Sequence, residues 1–92
     1  MPEVRIPGML RRLTGEAASV NVDGATVGDV LRELDARFPG MAAELIDSDG
    51  KILRFVNLYL NDEDVRYLEG LDTPVGAQDS ISILPAVAGG RT

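Results

Sequence analysis

The sequence predicts an α+β domain in two layers, a mixed sheet of four to five strands with one main helix packed on one face. Three stretches carry that reading. In Ser80-Ile81-Ser82-Ile83 the apolar residues alternate with polar ones, the period of a strand with one face on a core and the other toward water. Residues 53–60 alternate in the same way, with Val56, Leu58 and Leu60 on one face and Phe55, Asn57 and Tyr59 on the other. Between these strands and the N-terminal ones, Val27, Val30, Leu31, Leu34 and Phe38 recur at helical spacing on one side of residues 26–38.

The elements follow in order. Residues 3–10 read as a first strand with Val4 and Ile6 pointing one way, ending near Pro7 and Gly8, and residues 11–15 form a turn. Residues 17–22 resume the alternation, with Ala18, Val20 and Val22 on one face and Ser19, Asn21 and Asp23 on the other. Two such runs around a glycine-containing turn predict a hairpin. Thr26 is the expected N-cap of the helix, with Asp29 where a capping carboxylate belongs, and Pro39 and Gly40 end it. Residues 41–46 are read as a short helical turn that carries Leu45 and Ile46 under the sheet, and 47–50 as a loop. Asn61-Asp62-Glu63-Asp64 reads as a polar turn leading to a short strand at Val65-Arg66-Tyr67, and 68–73 as a loop with Leu71 turned inward. The first and last strands are expected side by side in the middle of the sheet.

With 92 residues there is room for one core, and 45% hydrophobic against 26% charged residues is the composition of an ordinary globular chain. The formal net charge of -6 disfavours nucleic-acid partners, whose phosphates are held by Lys and Arg. It favours a basic surface on a protein partner. The chain contains neither Cys nor His, which removes disulfides, thiolate nucleophiles, Cys or His metal sites and Ser-His triads. No leader-like apolar stretch stands at the N-terminus, and no apolar run approaches the ~20 residues of a membrane helix. A cytoplasmic protein without membrane contact is expected.

Catalytic chemistry finds little support. Asp47 and Asp49 near Gly50 lack the periodic oxygen ligands and distal bidentate Glu of a calcium loop, so a plain turn is the better reading. The acids of 61–64 stand in a polar turn, without the burial that raises a catalytic pKa. No glycine-rich phosphate loop opens the helix. What remains is the sheet face and the C-terminal segment. Alternation from Ser80 and Ser82 turns Leu84 outward, where with Phe55 and Tyr59 it would make an apolar, partner-binding patch. Beyond Pro85 the side chains shrink through Ala86, Val87 and Ala88 to Gly89 and Gly90, a thin segment suited to entering a partner's active site.

The block Phe55-Val56-Asn57-Leu58-Tyr59-Leu60-Asn61-Asp62-Glu63-Asp64-Val65-Arg66 and the segment from Asp79 through Pro85 to Gly89-Gly90 resemble the ThiS/MoaD family of sulfur carrier proteins. Within it, the carriers of actinobacterial cysteine biosynthesis are the most similar. The resemblance covers nearly the whole chain and implies a β-grasp, ubiquitin-like domain over residues 1–86 with a flexible tail over 87–92. It implies that the Gly90 carboxylate is adenylated with ATP by an E1-like partner of the MoeB/ThiF kind and converted to a thiocarboxylate. That group would donate sulfur to a biosynthetic enzyme making cysteine, thiamin, molybdopterin, a thiosugar or another secondary metabolite. Val87, Ala88, Gly89 and Gly90 would enter the partner's site. The chain itself would be no enzyme and would hold no cofactor or metal, ATP being used by the activating partner.

One departure from the family matters. Arg91 and Thr92 follow Gly90, so its carbonyl is an amide and cannot be adenylated until they are removed. A precursor cut between Gly90 and Arg91 is expected, by analogy through a zinc JAMM-type peptidase. Residues appended by cloning, or a carrier-like protein without sulfur chemistry, are the other accounts. A different class of function also stands beside the carrier: a noncatalytic β-grasp binding module, or synthase subunit, that docks through its sheet face.

Overall fold

A computed structural model describes residues 1–85. Its strands are β1 (Glu3–Arg5), β2 (Ser19–Asn21), β3 (Val56–Leu60), β4 (Glu63–Asp64) and β5 (Ser80–Pro85), and its one α-helix is α1 (Val27–Arg37). They form a five-stranded sheet in the order β2-β1-β5-β3-β4. The β1–β5 pair is parallel, whereas β1–β2, β3–β5 and β3–β4 are antiparallel, so the expected mixed sheet with β1 beside β5 is present. The last strand to be made is therefore the central one. Each of its residues gains a neighbour far away in the chain, as in Val4↔Ile81 and Leu58↔Ile83.

One face of this sheet meets α1. Val4, Leu58, Ile81 and Ile83 from the strands are buried with Val27, Val30, Leu31 and Leu34 from the helix. The helix begins where Thr26 turns extended and its side-chain oxygen accepts from the Asp29 N–H at 3.1 Å, satisfying a donor that has no partner within the helix. Thr26→Ala should therefore cost about 1 kcal/mol of unfolding free energy, read as a lower urea midpoint at unchanged denaturant slope. At the other end Phe38 leaves the helical region at φ -130°, as the steric demand of Pro39 on the preceding residue requires. Gly40 follows at φ 101°, and the Asp35 carboxylate accepts from the Gly40 and Ala42 N–H groups, fixing the exit.

Several elements differ from the sequence reading. The first strand stops at Arg5; Pro7 breaks it, and Gly8–Leu13 winds into a 3-10 turn that buries Leu10. The second strand shortens to Ser19–Asn21, although Val22 is buried as its alternation predicts. Glu63 and Asp64 pair with Leu60 and Tyr59 as β4, so the polar turn contracts to Asn61 and Asp62. Asn61 takes φ 58°, which Asn tolerates better than most side chains. Val65–Tyr67 is a 3-10 turn and not a strand, because the Asp64 carboxylate caps it by accepting from the Arg66 N–H at 2.8 Å. Met41 joins Leu45 as a fully buried residue, while Ile46 is only half-buried.

Candidate functional site

The tail is held by β5, and three sets of contacts fix that strand. The first is at its entrance. The Asp79 carboxylate accepts from the Gly76 N–H at 2.7 Å and from the Asn61 side-chain amide at 3.2 Å. Asn61 in turn accepts from the Ser80 N–H at 3.1 Å through its side chain, and its own N–H donates to the Ser80 carbonyl at 2.7 Å. These bonds lock the β3–β4 turn to the first residue of β5. The Gly76 N–H, and then the Asn61 amide, hold the Asp79 carboxyl below its ordinary pKa of 3.8.

A lowered carboxyl pKa stabilises the fold above the unfolded-state value, and the contribution disappears as pH falls through the folded-state value. Asp79→Ala should accordingly lower the urea midpoint at neutral pH. The difference from the unsubstituted protein should shrink to nothing once both measurements are made well below pH 3.8. A difference that persists into acid would mean that the carboxylate charge is not what acts.

The second set lies along the strand. Ile81 and Ile83 point into the core and are 0% and 2% exposed. Ser80 donates through its hydroxyl to the Glu3 carboxylate at 3.3 Å. The third set supports the exit. Pro85 pairs with Val56, the first residue of β3. Arg66 grips that corner, donating to the carbonyls of Val56 at 2.7 Å and Leu53 at 2.9 Å and to the Asn57 side chain at 2.9 Å. A rigid guanidinium fork suits such convergent acceptors. Sequence reading assigned Arg66 no role, because its partners lie 9–13 residues back and carry no periodic signal.

The candidate docking residues fall in two places. Register puts Asn57 opposite Leu84, and Tyr59 opposite Ser82, on the face turned away from α1. Tyr59 and Leu84 are therefore diagonal neighbours, with Leu84 47% exposed. The rest of this face is polar: Glu3 stands opposite Asn21 and Ser80, and Arg5 opposite Ser19 and Ser82. Phe55 does not continue the row. It precedes β3 by one residue, is 53% exposed, and lines a small apolar recess at the end of the sheet with Met9 and Val56. Met9 was not expected there, since it lay in a stretch read as strand. Val87, Ala88, Gly89, Gly90 and Arg91, expected to form the delivered tail and its processing site, lie outside the described residues.

Among the described residues there is no group of His, Cys, Asp and Glu able to hold a metal ion, and no helix long and apolar enough to cross a membrane. The Asp47 carboxylate accepts from the backbone of Asp49 and Lys51, as a turn-forming Asp does.

A parallel pair of outer chain segments at the centre of a mixed five-stranded sheet, with one helix across it, is the ubiquitin-like β-grasp. The chain belongs to the ThiS family, whose pattern it matches over residues 4–90. It is 51% identical over 89 residues to the sulfur carrier protein CysO of Mycobacterium tuberculosis, a match covering 95% of this chain and 96% of that one. The solved CysO of the same organism superposes with a TM-score of 0.91 at 47% identity, covering 95% of this chain and 100% of the other. A chain of the BexX/CysO complex of Amycolatopsis orientalis superposes with a TM-score of 0.92 at 44% identity, covering 98% and 100%.

Proposed function

We propose that this chain is a sulfur carrier whose Gly90, once Arg91 and Thr92 are removed, becomes a C-terminal thiocarboxylate. The observation that carries the reading is a family match that runs through the Gly89-Gly90 pair. Kinship with CysO over nearly the full length of both chains supports it.

The chemistry follows from what a carboxylate is. It is a poor electrophile until one oxygen belongs to a good leaving group. An E1-like enzyme of the MoeB/ThiF kind supplies that group from ATP: a Gly90 carboxylate oxygen attacks the α-phosphorus, pyrophosphate leaves, and an acyl-adenylate forms. A sulfide-equivalent donor then attacks the acyl carbon and expels AMP, leaving the thiocarboxylate. The thiocarboxylate sulfur bonds to the substrate of a biosynthetic enzyme, and water then cleaves the acyl–sulfur bond, supplying the oxygen that restores the Gly90 carboxylate.

The carrier provides no acid or base for these steps. Its contribution is presentation: the central strand anchors the tail by Ile81 and Ile83, and two residues without Cβ let the backbone enter a narrow channel. Leu84 and Tyr59 on the open face, and separately Phe55 at the end of the sheet, supply apolar contact for a partner. Similarity to a chain solved in a BexX/CysO complex supports a reading in which this chain docks on another protein. A JAMM-type peptidase would make the cut between Gly90 and Arg91.

Intact mass spectrometry tests the proposal. Incubated with an E1-like partner, ATP and sulfide, the chain ending at Gly90 should gain the mass difference between sulfur and oxygen. The chain that keeps Arg91 and Thr92 should not. Equal modification of both would refute the requirement for trimming, and modification of neither would refute the carrier reading.

A further inference from the structure

The net charge of -6 is not spread evenly over the domain. On the sheet face turned away from α1, Arg5 stands opposite Ser19 on one side and Ser82 on the other, and Ser82 stands opposite Tyr59. Leu84, two residues beyond Ser82 on the same face, is therefore flanked diagonally by Arg5 and by Tyr59. A groove of ≈ 480 Å³ runs beside Leu84, lined by Arg5, Arg11, Ser19, Ser82 and Glu3.

Two guanidinium groups thus face one carboxylate. Glu3 lies toward the start of β5, where it accepts from the Ser80 hydroxyl at 3.3 Å, and its contact with Arg5 is a long one of 3.5 Å. Arg5 has 67% of its side chain open to solvent, and so exposed a pair contributes little. Arg11 is half-buried, and its Nε donates to the Ile6 carbonyl at 3.2 Å, which fixes the guanidinium at the groove wall. Among the described residues Arg11 forms no ion pair. Other acids stand elsewhere: Asp29 and Glu33 are on the helix, and Asp64 is in the edge strand β4, its carboxylate accepting from the Arg66 N–H. The surroundings of Leu84 are cationic although the chain is acidic.

We propose that Arg5 and Arg11 select an E1-like partner whose surface carries carboxylates where it covers Leu84. The inference rests on the carrier reading and names the chemistry of the surface that receives this face. A surface laid over Leu84 also takes water from the groove beside it, and a guanidinium stripped of water is costly unless an anion meets it. In that partly dry setting a carboxylate is attracted more strongly than in open water. Salt at physiological strength screens exposed charges more than about 8 Å apart, so the local cations outweigh the distant acids once the surfaces meet. The sign is opposite to the basic partner surface that the total charge predicts.

Charge reversal separates the two. Binding to the E1-like enzyme is measured by stopped-flow and calorimetry without ATP or sulfide, on the full chain and on the chain ending at Gly90. Arg5→Glu, at an unchanged urea midpoint, should weaken binding about tenfold, chiefly through slower association. The loss should shrink in 1 M salt, where the screening length is about 3 Å. Arg11→Gln should weaken it roughly three- to tenfold, and Glu33→Lys, on the helix side, should change it less than twofold.

Tighter or unchanged binding by Arg5→Glu would overturn the proposal. Glu33→Lys weakening binding as much as Arg5→Glu would do so as well, because total charge would then govern the encounter. So would an enzyme that binds neither form of the chain. The carrier reading is read separately, from the mass gain at Gly90: its absence beside the expected charge effects would refute sulfur loading alone, and its presence beside a tighter Arg5→Glu complex would refute the acidic docking surface alone.

Discussion

Replacing Ile81 by Ala should lower the unfolding free energy by about 2–5 kcal/mol. Ile81 is fully buried in the central strand, between Val4 of β1 and Leu60 of β3. Its neighbours are held by hydrogen bonds on both sides, so the site cannot collapse to fill the space left by the missing carbons. Domains of ordinary stability have only about 5–15 kcal/mol in all, and small ones sit low in that range because they bury less of their surface. Much of the folded population is therefore at stake. Ser82→Ala, one residue on and facing the other way, should change stability by no more than about 0.5 kcal/mol. Urea titration followed by circular dichroism measures both. A loss below about 1 kcal/mol for Ile81→Ala would mean that the layer around β5 repacks, and that the strand is less firmly held than its burial indicates.

The second large effect is chemical. In the chain ending at residue 90, Gly90→Ala should slow thiocarboxylate formation about 100-fold or more, because displacement of a reacting group by around 1 Å can cost that much. The added Cβ narrows the φ/ψ choices of the reacting residue and widens the chain where a partner's channel must close around it. Binding should change far less, since the sheet face and its rim are untouched. Single-turnover intact-mass measurements give the rate, and titration calorimetry against the E1-like partner gives the affinity. Thiocarboxylate formation at the unsubstituted rate would remove the role assigned to the glycine pair. A parallel loss of affinity would assign Gly90 to docking and not to chemistry.

These two experiments address different links between sequence and function. The first concerns the anchor and the second the delivered end. Asp79 and Asn61 connect them to the rest of the fold by pinning the start of β5 to the β3–β4 turn. Thr26 and Asp29 do the same for the start of the helix.

Much of this arrangement is legible in the linear chain. The helix could be read from Thr26 to Phe38 because its signals are local: a capping hydroxyl, apolar residues at helical spacing, and a Pro-Gly stop. The alternation in Ser80-Ile81-Ser82-Ile83 likewise predicts which side chains are buried. Val65–Tyr67 misled for a physical reason. Its residue types suit a strand, but the Asp64 carboxylate bonds the Arg66 N–H and turns the backbone before a strand can continue. Phe55 misled similarly, since its place in the alternation of 53–60 suggested the open face, whereas β3 begins only at Val56.

By itself, the sequence determined the two-layer class, the helix and its cap, the faces of the last strand, and the small-residue segment that ends in Gly89-Gly90. Those features depend on residues within a few positions of one another, where side-chain period and backbone preference act directly. Only the tertiary structure decided that Arg66 grips the start of β3, that Asn61 and Asp79 clamp the entrance of β5, and that Met9 and Phe55 border a common recess. Each of those contacts closes between residues nine or more positions apart in the chain. No local period can encode that closure, because its geometry is set by packing between distant parts of the chain.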